Sequence, residues 1–366
     1  RPRRFSLPEC AAEEVGGGRD EFESIFGFQP EGMWPSEGSV SDEALEIIRG
    51  CGVQWVATDE EMLAKSIGKN IERNSAGDVT NPTVLYRPYT LKTSKGDLSI
   101  VFRDHYLSDL IGFRYCRSPA EEAAEDFVNR IMRVRKRAPD NFPALVSVIL
   151  DGENCWEFYK RDGHDFLDAL YSRLSETKEI RCVTIGEYLK EHPPGESLKK
   201  IFPGSWINHN YRIWIGHEED NTAWDLLNEA RQDLVKSQQS GQLSDEAAAE
   251  AWEEIYIAEG SDWNWWYGDD HTSGQDELFD QLYRKHLVNL YRIIDKEPPA
   301  RLLQPISAGG TKVCIEHPRS FVTPKIDGQI THYYEWQGAG EFDPMASGGA
   351  MHQVSRFFVA LKFGFN

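Results

Sequence analysis

Carboxylate side chains follow four predicted strands of this chain, each at the point where the strand gives way to a loop. In the clearest case, the apolar run 144–150 ends on Asp151 and Glu153, with a glycine between them. Similar acids end three further segments, at residues 33–37, 53–60 and 100–105, and tryptophans stand among the four clusters. Loops at the carboxyl ends of parallel strands converge over one cavity. The pattern therefore predicts a carboxylate-lined pocket with aromatic walls, which is typical of sites that process sugars.

Two of these acids, Glu37 and Asp151, could together cleave a glycosidic bond. Such cleavage needs one carboxylate that attacks or activates water, and a protonated partner that donates to the leaving oxygen. The two acids lie on different predicted strand ends, so each could approach the substrate from its own side. Nearby carboxylates, Glu153 and Asp104, would favour the protonated form of Asp151 that a general acid requires. The structural alternative is that Glu37 and Asp151 cap helices.

Composition narrows the class of partner. The 366 residues are enough for a large core and at least two domains. The formal net charge of −20 argues against nucleic acid and anionic membranes as partners, because both bind basic patches. A neutral polyol is compatible with that charge. The 11 tryptophans suit such a ligand, since the C–H groups of a sugar ring pack flat on an aromatic face, although core packing is the alternative for each one.

Cysteine usage and hydropathy bear on the compartment. The six cysteines form no CxxC pair and no compact framework, which favours free thiols in a reducing compartment. No apolar run approaches membrane-spanning length and no signal peptide is visible, although the chain opens at Arg1 without a methionine. The expectation is a cytoplasmic protein.

Strand and helix patterns alternate over residues 31–192. The sequence predicts strands at 53–57, 98–102, 145–150 and 180–183, and helices across the segments 119–138, 164–174 and 186–192. This order predicts parallel pairing with right-handed crossovers. Together with the strand that ends at residues 33–37 there are about five strand candidates, which is fewer than a closed eight-stranded barrel needs.

The pattern changes after Pro193-Pro194-Gly195. Helical periodicity is predicted over 220–238, 244–258 and 276–294, and strands are predicted at 313–315, 330–336 and 357–361. The predicted domains are a partial (β/α) barrel catalytic domain over 1–219, a helical bundle subdomain over 220–300 and the start of a β-rich domain over 301–366.

Four motifs resemble segments of glycoside hydrolase family 57. Gly32-Met33-Trp34-Pro35-Ser36-Glu37 resembles the segment that carries the nucleophilic glutamate of that family, and Leu150-Asp151-Gly152-Glu153 resembles the segment that carries its acid/base aspartate. Two further motifs match in kind, within residues 204–217 and 260–268. The last is similar to a segment in which a serine-aspartate-tryptophan unit from the helical region reaches into the substrate cleft.

The resemblance implies a retaining enzyme acting on α-linked glucan, such as an α-amylase, an amylopullulanase or a 4-α-glucanotransferase. The implied fold class is α/β, with a partial (β/α)7-type parallel barrel followed by a helical bundle and a truncated β-rich region. Glu37 would be the nucleophile and Asp151 the acid/base. The residues expected to contact substrate are Trp34, Asp104, His105, Glu153, Trp206, His209, Asp262 and Trp263. The expected partner is an α-glucan oligosaccharide or polysaccharide, and neither a cofactor nor a metal is expected.

For three of these residues the sequence supports a structural role as well. Asp104 and His105 could form an internal ion pair with Arg103 instead of binding substrate. Asp262 is predicted to approach the cleft between Glu37 and Asp151, because a buried serine-aspartate pair needs polar partners and a sugar has vicinal hydroxyls. The alternative makes Asp262 a helix cap.

The sequence also departs from the family pattern. The histidine-glutamine-proline motif of the first barrel strand is absent, so the chain is expected to begin after it, as an internal piece of a longer protein. Two other functions stay open: a carbohydrate-binding protein without catalysis, and a metal-dependent polysaccharide deacetylase using His209, His217 and Asp151. Hydrolysis and transfer are both compatible with the motifs, and the oligomeric state is open.

Overall fold

The computed structural model describes residues 7–152, 156–241, 243–271, 273, 275–307, 315–326, 335–342 and 361–365. The chain divides into two units: the α/β unit, Leu7–Tyr211, and the helical unit, which runs from Arg212 onwards. None of the helices in the described residues has the length and apolar character needed to span a membrane.

Five strands form the sheet of the α/β unit. They are β1 (Gly32–Met33), β2 (Trp55–Asp59), β3 (Tyr89–Thr93), β4 (Gly96–Arg103) and β5 (Glu196–Leu198). Their order across the sheet is β1-β2-β4-β3-β5, and the neighbouring pairs are parallel except for β3 with β4. In the parallel pair of β2 and β4, Asp59 stands opposite Arg103. Both strands therefore present their last residues at the same edge of the sheet.

The α/β unit also contains helices, most of which follow its strands in the sequence. They are α1 (Pro8–Phe26), α2 (Asp42–Gly50), α3 (Glu60–Ile67), α4 (Pro82–Leu85), α5 (His105–Asp109), α6 (Ala120–Arg137), α7 (His164–Glu176) and α8 (Ile185–Glu191). Acids at strand ends start two of them. Asp59 accepts a hydrogen bond from the backbone N–H of Glu61 (3.1 Å) before α3, and Asp104 accepts one from that of Leu107 (2.9 Å) before α5. These two strand-end aspartates thus cap the helices that follow them.

Buried apolar side chains hold the α/β unit together. Val56, Ile100 and Phe102 project from β2 and β4 into one cluster. Phe127 of α6 and Phe166 of α7 belong to a second cluster. The continuous apolar character of the two strands is typical of a parallel sheet whose faces are both covered.

The predicted strands at 53–57 and 98–102 are confirmed by β2 and β4, and the predicted helices of this region by α6, α7 and α8. The strands predicted at 145–150 and 180–183 are wrong. Residues 180–183 have no strand partner within the described part of the chain.

The run 144–150 is extended, but it meets the sheet through a single parallel bridge between Ser147 and Arg103. Beyond that bridge, the backbone N–H of Ile149 donates to the hydroxyl of Ser108 (3.2 Å) instead of to a strand. A side chain therefore takes the place of a ladder partner, which the apolar sequence pattern does not reveal.

The helical unit contains α9 (Arg212–Ile215), α10 (Glu218–Gln239), α11 (Asp245–Glu259), α12 (Ser261–Trp265) and α13 (Asp276–Ile293). Leu227, Leu234, Ile255, Leu287 and Leu290 pack between its long helices and are fully buried. Three short strands, β6 (Ile315–Glu316), β7 (Gly340–Phe342) and β8 (Leu361–Phe363), form an antiparallel sheet.

The helices predicted at 220–238, 244–258 and 276–294 are confirmed by α10, α11 and α13. Most of the strands predicted at 330–336 and 357–361 lies outside the described residues. The predicted fold class, an α/β arrangement with parallel strands followed by helices and then by β structure, is confirmed.

Candidate active site

The backbone at Glu37 adopts a conformation that is unusual for a residue with a side chain. Glu37 lies in the 3₁₀ turn Ser36–Gly38 with φ 49° and ψ 31°, and Gly38 follows with φ 64°. The left-handed region costs a non-glycine residue about 1 kcal/mol or more and persists where the surroundings enforce it. Because such strain clusters at functional sites, the turn supports a functional role for Glu37.

Three neighbours hold this turn in place. The hydroxyl of Thr58, near the end of β2, donates to the carbonyl of Gly38 (2.6 Å). The backbone N–H of Trp206 donates to the carbonyl of Glu37 (3.0 Å). Gly38 also lies against the ring of Trp34, since a Cβ at this glycine would come within 2.8 Å of the indole. The turn is therefore tied both to β2 and to the loop that follows β5.

Two tryptophans flank the carboxylate of Glu37. The indole Nε1–H of Trp206 donates to Oε2 of Glu37, and the ring centroids of Trp34 and Trp206 are 4.9 Å apart. An indole N–H only donates, so this contact favours the ionised carboxylate, which is the form a nucleophile needs. All three residues are half-buried, which leaves the carboxylate both oriented and reachable.

Arg103, the last residue of β4, lies against Trp206. The central carbon of its guanidinium group is 4.7 Å from the centroid of the Trp206 ring. Its Nε donates to the carbonyl of Ile149 (2.8 Å), two residues before Asp151. One side chain therefore contacts both the tryptophan that holds Glu37 and the segment that carries Asp151.

Asp151 follows the extended segment 144–150 and is half-buried. The segment is fixed next to the end of β4, because the backbone N–H of Asp104 donates to the carbonyl of Ser147 (2.8 Å). Glu153, which was predicted to contact substrate, lies outside the described residues. The structure thus brings the Glu37 turn and the Asp151 segment to the same edge of the sheet, where β2 and β4 end.

His105, the first residue of α5, lies between two carboxylates. Its Nδ1 is 3.2 Å from Oδ2 of Asp59, and its Nε2 is 2.9 Å from Oδ2 of Asp109. The hydrogen bonds to Asp109 and to Asp59 raise the pKa of His105 to about 10. The imidazole therefore carries a positive charge at neutral pH, and both ring nitrogens donate. Its side chain is 40% exposed, so this charge also faces solvent.

Asp104 is fully buried. Its carboxylate accepts hydrogen bonds from the hydroxyl of Tyr86 (2.6 Å) and from Nη2 of Arg73 (3.0 Å), in addition to the helix-cap bond. Glu60 shares Arg73 with it, and burial raises the pKa of Glu60 to about 7 although the Arg73 charge opposes that change. In this arrangement Asp104 supports the start of α5 and leaves the neighbouring His105 as the exposed polar group.

The loop after β5 positions Trp206 and His209. Asn208 and His209 both have left-handed backbone angles, with φ 48° and 57°. The hydroxyl of Ser205 closes the loop by donating to the carbonyl of Asn210 (2.9 Å). His209 is half-buried. This second strained segment is the one that supplies the hydrogen bonds to Glu37.

In the helical unit, the residues predicted to contact substrate lie on α12. Asp262 is exposed. The Nε1–H of Trp263 donates to the carbonyl of Ile257 (2.7 Å), and its ring packs near Tyr283 and His286, at centroid distances of 6.0 and 5.9 Å. The approach of Asp262 to the cleft of the α/β unit stays a prediction.

Among the described residues, His217, Asp269 and Asp270 have ligand atoms close enough to share a metal ion. The Nε2 atom of His217 is 2.9 Å from Asp269 and 3.2 Å from Asp270. Arg212 also contacts both aspartates, at 3.4 and 3.7 Å. Because the guanidinium group of Arg212 pairs with both aspartates and His217 contacts them as well, the cluster is explained as an ion-pair network.

Sequence reasoning missed Thr58 as a site residue and considered Arg103 only as an ion-pair partner of Asp104 and His105. Each one directly precedes an acid that the sequence did single out, Asp59 and Asp104. An arginine that ends an apolar strand is a usable signal, since a buried guanidinium group requires carboxylate or carbonyl partners.

A sequence profile of glycosyl hydrolase family 57 matches residues 6–199, which is more than half of the chain. The matched region includes both the Glu37 turn and the Asp151 segment. The chain therefore belongs to glycosyl hydrolase family 57, as the motifs predicted. No curated protein sequence matches the chain significantly.

Solved structures share the fold. A GH57-type branching enzyme from Pyrococcus horikoshii is 16% identical, with a TM-score of 0.59 over 83% of this chain and 69% of its own. The α-amylase AmyC from Thermotoga maritima is 16% identical, with a TM-score of 0.58 over 80% and 65%. A 4-α-glucanotransferase from Thermococcus litoralis is 15% identical, with a TM-score of 0.53 over 76% of this chain. The chain spans only 44% of the length of the glucanotransferase.

Proposed function

We propose that this protein is a retaining glycosidase or transglycosidase acting on α-linked glucan, with Glu37 as nucleophile and Asp151 as acid/base. The observation that carries the proposal is the strained turn of Glu37, whose carboxylate is held by Trp206 at the edge of the sheet next to the Asp151 segment. Family membership supports the reaction class. The similar structures include an α-amylase and a 4-α-glucanotransferase, and their names support the substrate class.

In the first step, the ionised carboxylate of Glu37 attacks the anomeric carbon of the bound glucan. The bond from that carbon to the leaving oxygen breaks, and the carboxyl group of Asp151 donates its proton to this oxygen. The product of this step is a glycosyl ester on Glu37. The Trp206 indole N–H orients the attacking carboxylate and, as a donor, favours its ionised form until the ester forms.

In the second step, Asp151 acts as a base and removes a proton from the incoming hydroxyl group. That oxygen attacks the anomeric carbon and Glu37 leaves, so the configuration of the sugar is retained. Water as the incoming group gives hydrolysis, and a sugar hydroxyl gives transfer. Retention requires the two carboxyl groups to lie about 5–5.5 Å apart, against about 6.5–9.5 Å for inversion.

The aromatic and polar groups around the turn suit a sugar. Trp34 and Trp206 offer ring faces beside the nucleophile. His105 adds a positive charge on a side chain that is 40% exposed, while both of its ring N–H groups donate to Asp59 and Asp109. The remaining proposed contacts are Glu153, His209, Asp262 and Trp263. We assign Asp104 to the support of His105, because its carboxylate is fully buried and already accepts three hydrogen bonds.

The test is turnover of maltoheptaose by the full-length protein, with analysis of product lengths and anomeric configuration. The Glu37→Gln variant should lose turnover by on the order of 10⁴-fold or more and still bind glucan. Azide should restore partial activity to Glu37→Ala, where the shortened side chain leaves room for an external nucleophile, but not to Glu37→Gln.

Inverted products would overturn the retaining mechanism. Glucan binding without turnover by the unaltered protein would favour the non-catalytic alternative. Release of acetate from an acetylated polysaccharide, abolished by a chelator, would favour a metal-dependent deacetylase, whereas turnover of maltoheptaose by the proposed reaction should not respond to the chelator.

A further inference from the structure

The guanidinium group of Arg103 has a fixed partner for each of its nitrogens. In addition to the bond from Nε to Ile149, its Nη1 is 3.2 Å from Oδ2 of Asp59 and its Nη2 is 2.8 Å from Oδ1 of Asp109. The Arg103 side chain is only 5% exposed. The three bonds reach three separate elements: β2, α5 and the extended segment before Asp151. They fix the plane of the group and leave its flat face for the Trp206 ring.

The charges around Arg103 balance. Asp59 and Asp109 each bond to both Arg103 and His105, so two carboxylates face two cations. Burial acts to raise the pKa of Asp59, but the hydrogen bond from His105 and the Arg103 charge hold it below its usual value. The guanidinium group therefore stays charged in a buried position without leaving a charge uncompensated.

The flat face of the Arg103 guanidinium group affects the proposed nucleophile, Glu37, through the Trp206 ring. A cation over an indole ring is attracted by the negative face of the π system, and the contact fixes the ring laterally. The same interaction draws electron density from the Trp206 N–H, which makes it a stronger donor to Glu37. Movement of Arg103 would therefore shift both the position and the charge stabilisation of the Glu37 carboxylate.

The Nε atom of Arg103 affects the proposed acid/base, Asp151, through a hydrogen bond to the segment that precedes it. The acceptor is the carbonyl of Ile149, and two residues of extended chain span about 6–7 Å to Asp151. No segment of regular sheet ladder holds this stretch, because its pairing to β4 is a single bridge. The Arg103 bond is thus one of the few fixed points before Asp151.

We propose that Arg103 is a positioning residue that sets the separation of Glu37 and Asp151, by holding Trp206 on its face and the Ile149 carbonyl on its edge. The inference rests on the proposed function of these two acids. A lysine would keep the charge but lose the planar fork that reaches three acceptors at once. Arginine is therefore the residue type that the geometry requires.

The experiment compares Arg103→Gln and Arg103→Lys with a matched control, Arg130→Gln. Arg130 is a similar residue of the same unit: it bonds to Asp126 (2.7 Å), lies 5.3 Å from the Tyr106 ring, and is 15% exposed. For Arg103→Gln we expect kcat on maltoheptaose to fall about 100-fold, because small misplacements of reacting groups have effects of that size. KM should change less than about threefold, since the aromatic rings that are proposed to bind the sugar are all still present. Arg103→Lys should restore part of kcat, and Arg130→Gln should behave as the unaltered protein.

A second readout does not depend on turnover. The ¹H–¹⁵N indole resonance of Trp206, assigned by its loss in Trp206→Phe, should shift in Arg103→Gln and in Glu37→Gln but not in Arg130→Gln. If Arg103→Gln does not fold, the same comparison is made with Arg103→Lys.

Unchanged kcat, or an indole resonance that does not respond to Arg103, would overturn the inference. Equal losses of kcat in Arg103→Gln and Arg130→Gln would do the same, since they would reduce Arg103 to a general stability role. If the unaltered protein has no turnover but the resonance responds, the coupling stands and the proposed function fails.

Discussion

Trp206 donates its indole N–H to Oε2 of Glu37 across 169 positions of the sequence. The same residue donates its backbone N–H to the carbonyl of Glu37 (3.0 Å). A segment after β5 therefore determines the conformation of a turn that follows β1. The orientation of the proposed nucleophile depends on the closure of the whole α/β unit, and not on the local sequence around Glu37.

The role of Asp151 can be separated from a structural one by the choice of substrate. Asp151→Asn should reduce turnover of maltoheptaose by about 10²–10⁴-fold, the usual contribution of a general acid. Glycosides with an activated aryl leaving group need little protonation, so their first step should lose far less. Equal losses of kcat/KM on both substrates, a quantity that reports the first step, would show that Asp151 has a structural role instead.

Gly38 allows a direct test of the turn. In Gly38→Ala the new Cβ would lie within 2.8 Å of the Trp34 ring, at a residue with φ 64°. We expect a loss of about 1 kcal/mol in the free energy of unfolding and a fall in turnover of about tenfold or more as Trp34 is displaced. Denaturant unfolding and initial rates provide the measurement.

Gly68 is the matched control for this substitution. It has a similar φ, 68°, at the end of α3, but a Cβ there would meet nothing within 4 Å. Gly68→Ala should therefore cost similar stability with unchanged turnover. If both variants keep full turnover, the contact between Gly38 and Trp34 does not matter for the reaction.

The charge of His105 should appear in the pH dependence of stability. Its pKa is raised to about 10 in the folded protein, above its unfolded value, so its stabilising contribution is complete below about pH 6.5. That contribution is lost as the pH rises from about 6.5 towards 10. Since the side chain is 40% exposed, solvent screening makes the effect smaller than the pKa change alone implies.

Denaturant unfolding between pH 6 and 10 tests this expectation. The free energy of unfolding should fall more steeply with pH in the unaltered protein than in His105→Gln. Parallel curves for the two proteins would show that His105 is not charged in the folded state at neutral pH.

A substitution of Asp262 tests whether this residue of the helical unit has a substrate role or a scaffold role. The residue is exposed on α12, so Asp262→Ala should change the melting temperature little. We expect a clear loss of glucan turnover, because one carboxylate can bond to the vicinal hydroxyls of a sugar. A large drop in melting temperature with normal turnover would instead favour the helix-cap role.

The sequence pattern predicted the elements better than their pairing. The apolar runs of β2 and β4 were recognisable, since a parallel strand buried on both faces reads as a continuous apolar segment. The antiparallel neighbour β3 was missed, although Ser94 and Lys95 form a two-residue connection before Gly96. Hydropathy predicts a strand at 144–150 because it reports burial and not the partner of each backbone N–H.

The acids of the candidate site could be proposed from the sequence, but the residues that support them could not. Glu37 and Asp151 stand at chain positions where a strand or extended run ends, and that is visible in the sequence. The contacts of Arg103 with Trp206 and with Ile149 join segments far apart in the chain. Such contacts depend on the folded arrangement of the chain, so residue types alone do not predict them.

The left-handed backbone of Glu37 has a consequence for the engineering of this protein. Glycine and asparagine accept that conformation more readily than glutamate does. Replacing Glu37 with either residue should therefore relax the turn and raise the thermal stability of the fold, while removing the proposed nucleophile. A library of variants selected for thermal stability alone would therefore be enriched in inactive proteins at this position. Selection for stability has to be combined with selection for turnover.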